Sequence, residues 1–340
     1  MELHELRKEK PSVAVVGFGK MGLLHSTIVN LLGAGSVDAV VDSNRLLRFA
    51  AGKTMKTVTF YKELDELLAR QSPDAVYVTT PAASHAAVVN RLIKAGIRCI
   101  FLEKPPTLNS KELSEILAML NRDHIVMVGF QKRYALTFRH AKLLLDQGII
   151  GTPTRVSSSI RSNDVSRRTN RFDSIGRGVL LDLGIHLVDL LAWMLEVEEV
   201  VSSRKKSLYT EVDDDFEATL ETKDGAIIEL QACWSQPHYR MPETQIEIHG
   251  SHGAITVTED FLSTKVRKDE SVSETTDLCL YKPHYYQGTP PVNIADPEYT
   301  LENMHFLYCM SRDVEPLTSL RNTQETMSIV DEAYSKASRD

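Results

Sequence analysis

Three ionisable side chains in the middle of the chain have the types and the spacing that proton transfer requires. Lys104 follows an apolar run as part of Glu103-Lys104-Pro105, and Asp182 and His186 lie in a later, very apolar segment. A lysine at the end of an apolar strand loses hydration, which favours exchange of its proton near neutral pH. Asp182 and His186 are four residues apart and would share one face of a helix, where the carboxylate can orient the imidazole. Together the three residues predict a general acid-base site.

Each of these assignments has a structural alternative. An isolated Glu-Lys-Pro is more often a solvated strand end than a catalytic element, and a lone histidine on an apolar helix is usually a satisfied core residue. Asp189 extends the polar line of Asp182 and His186. Three ionisable groups on one apolar helix are costly unless they are paired or functional. We therefore favour a general base at His186.

A glycine-rich turn near the start indicates what the chain binds. It follows the apolar run 13–16 and opens an amphipathic segment, which is the context that dinucleotide-binding turns require. Gly17 permits the tight turn, Gly19 lets the backbone approach a pyrophosphate, and Gly22 allows the helix to pack closely. The helix N-terminus supplies N–H donors to the phosphates. The cofactor contacts predicted here are Gly17, Phe18, Gly19, Lys20, Met21 and Gly22.

Asp42 ends the second strand candidate, twenty residues after Gly22. A carboxylate at that position would bind the adenosine ribose and repel a 2'-phosphate, so that NAD is favoured, with Ser43 beside it. The alternative is a simple strand-end turn at 42–44. Arg45 and Arg48 lie close enough in sequence to accept a 2'-phosphate, which keeps NADP open.

The elements that must position these residues follow from the apolar pattern. Up to about residue 130, short apolar runs alternate with amphipathic stretches, which predicts a doubly wound parallel sheet. Thr79, Thr80 and Pro81 end one of these strands, at the carboxyl edge where such folds collect ligands, although a plain turn explains them equally well. Beyond residue 130, strand candidates follow helices and predict an open α+β domain. The apolar segment from Val179 to Leu195 is a predicted helix.

Length and composition fit this reading. A chain of 340 residues suggests two domains with a cleft between them, which we place at 11–130 for dinucleotide binding and 131–340 for substrate binding and oligomerisation. The net charge of −7 argues against a nucleic-acid partner, and no apolar run suits a signal peptide or a membrane span. Four scattered cysteines match no metal or redox spacing. We expect a cytoplasmic protein without a metal site, whose partner is a small molecule.

The motifs resemble those of the glucose-fructose oxidoreductase, inositol dehydrogenase and rhizopine-catabolism (Gfo/Idh/MocA) family over nearly the whole chain. The resemblance rests on the stretches 17–22, 79–81 with His85, 103–105, 129–130 with Arg133-Tyr134, and 182–186. It implies a Rossmann domain followed by a domain with a large open, mainly antiparallel sheet, which usually forms a homodimer or homotetramer. It also implies that His85, Glu103, Lys104 and Arg133 belong to the cofactor site, with Glu103 near the nicotinamide ribose.

The reaction that the resemblance implies is reversible oxidation of a secondary alcohol on a sugar or cyclitol. NAD takes the hydride, His186 takes the hydroxyl proton, Lys104 hydrogen-bonds the developing alkoxide, and Asp182 contacts substrate or His186. Lys104 and His186 would titrate as a coupled pair, so either could be the formal base.

Candidates for substrate recognition come from position and polarity. Five arginines between 161 and 177 could grip a phosphate, a carboxylate or a nucleotide diphosphate, or could form a solvated loop. We nominate Arg161, Asn163 and Tyr239 as substrate contacts, together with Lys104, Asp182 and His186. The rival functions are a different ketone or alcohol substrate, a non-catalytic dinucleotide sensor, and a methyltransferase. A sensor would have no need for the proton-transfer residues, and a methyltransferase explains neither the lysine nor the histidine.

Overall fold

The chain folds into two compact units. The structure, a computed structural model, describes residues 10–170, 172, 177–239, 241–267, 273–279, 286–287, 293–294 and 296–339. Unit 1 combines the N-terminal part up to Gln131 with residues 282–324, and unit 2 combines 132–281 with 325–340. The chain therefore leaves unit 1 and returns to it. This differs from the predicted division at 130/131, which assigned everything after that point to the second domain.

Unit 1 is built on a six-stranded parallel sheet in the order β3-β2-β1-β4-β5-β6. Its central strands are buried on both faces, which is why they appear in the sequence as continuous apolar runs. The strands are β1 (Ser12–Val16), β2 (Ser36–Val41), β3 (Thr59–Tyr61), β4 (Ala75–Val78), β5 (Cys99–Leu102) and β6 (Ile125–Val128).

Helices connect and cover these strands. They are α1 (Lys20–Leu32), α2 (Arg45–Thr54), α3 (Leu64–Leu68), α4 (His85–Lys94) and α5 (Ser110–Leu117), and α8 (Pro297–Arg312) joins them from the returning segment. Helix α1 ends at Gly33, whose φ of 64° suits a glycine. Helix α8 packs against α1, so a late part of the sequence completes the unit.

Unit 2 is built on a nine-stranded mixed sheet in the order β14-β13-β12-β11-β7-β10-β9-β8-β17. The pairs β7/β10 and β8/β17 are parallel, and the others are antiparallel. The strands are β7 (Pro153–Arg161), β8 (Val197–Lys206), β9 (Asp215–Thr222), β10 (Ile227–Cys233), β11 (Glu243–Gly250), β12 (Gly253–Thr258), β13 (Phe261–Arg267), β14 (Ser273–Cys279) and β17 (Ala337–Arg339). A short pair, β15 (Tyr286–Gln287) with β16 (Asn293–Ile294), lies outside this sheet.

The two faces of the large sheet differ in chemistry. Its apolar face packs against α6 (Leu136–Asp146), a π-helical turn (Leu180–Gly184) and α7 (Ile185–Met194), while α9 (Gln324–Lys336) completes the unit. The other face carries serine, threonine, glutamine and charged side chains. This alternation along each strand is the usual pattern of a sheet that is covered on one side.

The predicted fold class, a doubly wound parallel sheet followed by a large, mainly antiparallel sheet, is confirmed. The alternation of strands and helices that was predicted up to about residue 130 is present in unit 1. Strands β13 and β14 form one end of the large sheet. Strand β8 was not evident from the sequence, because charged residues interrupt its apolar alternation.

Candidate cofactor and catalytic site

The carboxyl ends of four neighbouring strands of unit 1 bring the predicted cofactor residues to one edge. The backbone ladder continues one residue past each strand: Gly17 donates to Val41, Thr79 donates to Val16, and Glu103 donates to Val78. Asp42 donates to Tyr61 in the same way. The glycine turn, Asp42, Thr79 and Glu103 are therefore aligned along the edge where doubly wound folds bind ligands.

The glycine turn has the geometry that a pyrophosphate needs. Gly17 has a φ of 90°, and a Cβ there would lie 2.8 Å from the backbone nitrogen of Thr80. A Cβ at Gly22 would collide with the carbonyl oxygen of Gly17. No atom of the described residues lies within 4 Å of a Cβ built on Gly19, and no side chain caps the start of α1. The turn thus leaves helix N–H groups and open space for a phosphate, so these residues fit a dinucleotide.

The other residues of the turn have different environments. Phe18 is fully buried and packs edge-on against Phe60, so only its backbone faces the predicted ligand. Lys20 is exposed and Met21 is half-buried. Their cofactor contacts remain predictions.

Asp42 is half-buried and accepts hydrogen bonds from the backbone nitrogens of Phe18 and Asn44, each at 2.7 Å. The second bond is the strand-end turn that was the alternative interpretation of this residue. Each carboxylate oxygen keeps a further lone pair, so the turn and ribose binding are compatible. Ser43 and Arg45 are exposed beside it, and the guanidinium of Arg48 donates to the backbone carbonyl of Asp42.

His85 is buried and both of its ring nitrogens have partners within the protein, so its cofactor contact remains a prediction. It is 1% exposed, and its ring nitrogens lie 2.8 Å from the carbonyl oxygens of Pro105 and Thr80. Burial lowers the pKa of His85, while those two carbonyls oppose the effect. Thr79 donates to the carbonyl of Gly17, and Thr80 accepts from Ser84, so this loop is tied to the glycine turn.

Glu103 and Lys104 follow β5 directly. Glu103 is 7% exposed, and its carboxylate lies 2.8 Å from Nε2 of His25 and 3.2 Å from the backbone nitrogen of Lys104. Lys104 is half-buried, and the Lys104–Pro105 peptide is cis. Two histidines therefore contact the motif. His25 contacts the carboxylate of Glu103, and His85 contacts the carbonyl of Pro105.

In unit 2, Asp182 and His186 lie where a π-helical turn becomes a regular α-helix. Asp182 is half-buried within the turn, and His186 is 4% exposed at the start of α7. π-Helical turns inside helices are frequent at functional sites. The predicted helix from Val179 to Leu195 is thus present, with a local irregularity at the two candidate catalytic residues.

Asp189 does not serve as a second orienting acid for His186. Its carboxylate forms a bidentate ion pair with Arg133, at 2.6 Å and 2.7 Å, and accepts from Thr326. Burial raises the pKa of Asp189, and Arg133 opposes that shift. Arg133 is 5% exposed and also lies 5.6 Å from the ring of Trp193. The structure thus gives Arg133 a packing role inside unit 2, and its role in the cofactor site remains a prediction.

The sequence did not single out two neighbouring acidic residues of unit 2, of which Asp213 holds the start of this helix. Asp213 accepts from the backbone nitrogens of Gly178 and Leu180 and from the hydroxyl of Tyr334. Asp214 next to it accepts from Trp234 at 2.6 Å. Burial would raise the pKa of Asp214, but its hydrogen bonds lower it overall. The acidic run 213–215 was the available signal, although a charged run usually indicates a solvated turn.

Arg161 lies on the opposite side of the large sheet from the helix that carries His186, so its nomination as a substrate contact is corrected. Ala232 faces that helix, since a Cβ at Gly184 would lie 2.9 Å from it. Ala232 is paired with Ile160, and side chains alternate along a strand, so Arg161 points to the polar face. There it donates to Gln231 at 2.9 Å.

The remaining substrate candidates are not brought together by any described contact. Asn163 is exposed, and Tyr239 is half-buried just after a turn. Arg167 and Arg168 are exposed, Arg177 pairs with Asp331 at 2.5 Å, and Arg171 lies outside the described residues. The roles of Asn163 and Tyr239 remain predictions. No helix in the described ranges is long and apolar enough to cross a bilayer.

Known proteins share both units. Residues 12–130 match the family model described as the oxidoreductase family, NAD-binding Rossmann fold, and residues 138–256 match the GFO/IDH/MocA C-terminal domain. An inositol 2-dehydrogenase/D-chiro-inositol 3-dehydrogenase of Halalkalibacterium halodurans is 32% identical over 312 residues, which cover 89% of this chain and 84% of the relative.

Solved structures show the same fold at lower identity. An oxidoreductase from Agrobacterium radiobacter, in complex with NAD+, L-tartaric acid and magnesium, has a TM-score of 0.83 at 19% identity over 96% of both chains. Levoglucosan dehydrogenase in complex with NADH has a TM-score of 0.82 at 18% identity, covering 97% of this chain and 98% of that one.

These matches, with the glycine turn and the carboxyl-edge residues, define the chain as an NAD-dependent dehydrogenase. It belongs to the Gfo/Idh/MocA family. The predicted family, the predicted enzyme class and the prediction of NAD as cofactor are thereby confirmed.

Proposed function

We propose that this enzyme oxidises a secondary alcohol of an uncharged sugar or cyclitol, with NAD as the hydride acceptor. The observation that carries the proposal is the position of Lys104 directly after β5, at the same sheet edge as the glycine turn. A proton-exchanging group at that edge would lie beside a bound dinucleotide. The inositol dehydrogenase that covers 89% of the chain supports the substrate class.

One set of residues would bind the cofactor, and another set would transfer the proton. The glycine turn would hold the pyrophosphate, Asp42 the adenosine ribose, and Glu103 the nicotinamide ribose. When bound, NAD supplies the carbon that accepts the hydride. From the family resemblance we infer that Lys104, Asp182 and His186 act on the same hydroxyl group.

In this mechanism His186 accepts the hydroxyl proton as the carbon–hydrogen bond breaks and the carbon–oxygen bond becomes a carbonyl. Lys104 donates a hydrogen bond to the oxygen while negative charge develops on it. Asp182 orients the imidazole or a neighbouring substrate hydroxyl. In the reverse direction the same residues return the proton to the oxygen.

The five arginines between 161 and 177 suggested a charged substrate, but their positions in the structure give little support for one. Arg161 is on the polar sheet face, and Arg177 is paired with Asp331 and lies 4.8 Å from the ring of Tyr334. Only Arg167 and Arg168 are exposed among the described members of the group. An uncharged polyol therefore fits the described residues better than a phosphorylated or nucleotide-linked one.

A substrate screen tests this proposal. Inositol isomers, aldoses and 1,6-anhydro sugars should give NADH formation at 340 nm, whereas sugar phosphates and nucleotide sugars should give less. If this protein reduces NAD only in the presence of charged sugars, the proposed substrate class is wrong. If this protein binds NADH but oxidises none of these alcohols, the proposed function is wrong.

Two variants test the assigned roles. Lys104→Ala and His186→Ala should each lower kcat by at least about a hundredfold, because general acid–base groups contribute factors of about 10² to 10⁴. NADH affinity, measured by fluorescence titration, should change little in His186→Ala. The matched controls are Lys111→Ala and His140→Ala, since both side chains are exposed. Normal turnover in either test variant would remove that residue from the mechanism.

We also propose that the polar face of the large sheet forms the contact between subunits of a homodimer or homotetramer. The face is concave, encloses about 640 Å³, and includes Ser157, Ser159, Gln231 and Gln245. Its charged members include both signs, with Arg204 paired to Glu217. A self-complementary polar surface suits an isologous contact, in which the same residues meet from both sides.

A further inference from the structure

A chain of buried hydrogen bonds inside unit 1 connects α8 to Glu103 through α1. The amide nitrogen Nδ2 of Asn303 donates to the backbone carbonyl of Tyr299 at 2.7 Å and lies 2.9 Å from Nδ1 of His25. Nε2 of His25 lies 2.8 Å from Oε1 of Glu103. His25 and Asn303 are both 0% exposed, so water does not compete for these bonds.

The direction of each bond follows from which groups can donate. A backbone carbonyl only accepts, so the Asn303 nitrogen must face Tyr299, and its second hydrogen can point to Nδ1 of His25. The amide oxygen of Asn303 is farther from Nδ1, at 3.2 Å. Nδ1 of His25 is therefore the acceptor, and the ring proton is on Nε2, where it is donated to Glu103. With the ring proton on Nε2 and none on Nδ1, each donor in this series of hydrogen bonds faces an acceptor.

The donor matters for Glu103 because two other acidic residues act on the same buried region. Glu302 and Glu298 act electrostatically within the same region, and Glu103 contributes to raising the pKa of Glu302. The described donors to the Glu103 carboxylate are His25 at Oε1 and the backbone nitrogen of Lys104 at Oε2. Without His25, Oε1 would face a buried region that repels a carboxylate.

The same helix serves two parts of the predicted cofactor site. Helix α1 starts at Lys20, within the glycine turn, and His25 lies about 7.5 Å further along its axis. Any displacement of α1 therefore moves both the phosphate-binding turn and the donor that orients Glu103. Glu103 in turn is bonded to the backbone of Lys104.

We propose that His25, oriented by Asn303, is a positioning residue that fixes the orientation of the Glu103 carboxylate and couples it to the glycine turn. The inference rests on the proposed function in one respect, namely that Glu103 and Lys104 meet the nicotinamide side of the cofactor. His25 touches neither cofactor nor substrate in this role. It acts through Glu103.

The test compares His25→Leu with His25→Gln. Leucine removes both ring nitrogens, whereas the glutamine amide restores a donor toward Glu103. His25→Leu should raise the NADH dissociation constant about tenfold, the loss expected for one hydrogen bond to a charged group, and His25→Gln should recover most of it. Thermal melting of both variants separates this effect from stability. Tyr77→Phe is the matched control, because the Tyr77 hydroxyl is buried near His25 and has no partner among the described residues.

Wild-type NADH affinity in folded His25→Leu, or equal losses in the leucine and glutamine variants, would overturn the proposal. If His25→Leu does not fold, His25→Gln is compared with His25→Asn, whose amide is one methylene too short to reach Glu103. Equal NADH affinity in that pair would also overturn it, and tighter binding by His25→Gln would support it. Failure of the wild type to oxidise any polyol would defeat the proposed function alone, since the NADH affinities still decide the role of His25.

Discussion

Glu302 is a fully buried carboxyl group, and neither of its oxygens has a hydrogen-bond partner among the described residues. Burial raises its pKa well above the usual value, with Glu103 and Glu298 adding to the shift. Tyr77 and Tyr299 are the neighbouring phenols that share this electrostatic region. Glu302 is therefore expected to be a neutral acid at neutral pH.

This protonation makes stability depend on pH. Between the ordinary glutamate pKa of about 4.5 and the raised pKa of the folded protein, the folded state holds a proton that the unfolded state releases. Wild-type stability should accordingly fall as pH rises, by up to about 1.4 kcal/mol per pH unit from this group. Glu302→Gln cannot titrate and should gain stability relative to wild type from pH 5 to pH 8.

Urea midpoints at four pH values would measure this difference. Glu115→Gln is the control, because Glu115 is exposed on α5 and should leave the pH dependence unchanged. Parallel curves for wild type and Glu302→Gln would show that Glu302 is ionised in the folded protein.

Single residues also show what sequence can reveal. Gly17, Gly22 and Lys104 were recognisable because their predicted roles depend on local spacing after a strand. The bond between His25 and Asn303 joins positions 278 residues apart, and no local pattern predicts it. His25 carried one weak signal, a polar residue among the apolar residues of α1.

At the scale of elements, the helix bearing His186 is fixed by groups on its far side and at its start. The ion pair of Arg133 and Asp189 is buried, with side-chain exposures of 6% and 1%. Asp189→Asn should destabilise the protein by about 3 to 5 kcal/mol, because it leaves a buried guanidinium without its counter-charge. Replacing both residues, as in Arg133→Met with Asp189→Leu, should recover most of that loss.

Chemical denaturation of the single and double variants checks this expectation. Asp146→Asn is the control, since the exposed i,i+4 pair of Lys142 and Asp146 contributes at most about 1 kcal/mol. A loss in Asp189→Asn no greater than that of the control would show that the pair does not fix the helix.

Strands and helices whose apolar residues follow one regular spacing could be predicted from the sequence. Elements in which charged residues interrupt that spacing could not. The buried strands β1, β4 and β6 are uninterrupted apolar runs, so the sequence identifies them directly. Strand β8 includes Glu198, Glu199, Arg204 and Lys205, whose charges mask its alternation. The side of the sheet on which Arg161 lies depends on register, which the sequence of one strand does not specify.

At the scale of the whole molecule, the proposed subunit contact predicts that the oligomeric state depends on residues of the polar sheet face. Ser159→Arg should add an unpaired charge to the proposed subunit contact and shift the protein to a smaller species in sedimentation analysis. Ser114→Arg, on the exposed side of α5, should leave the mass unchanged. A monomeric wild type, or an unaltered mass for Ser159→Arg, would contradict the proposed contact.

The return of residues 282–324 to unit 1 has a consequence for how this protein can be divided. A fragment cut after residue 131 would keep the glycine turn and Lys104 but lose α8 and, with it, Asn303. A graft of this cofactor-binding half onto another protein would need both stretches of the chain. Although the dinucleotide motif lies wholly within the first 22 residues, the module that supports it is discontinuous in the gene.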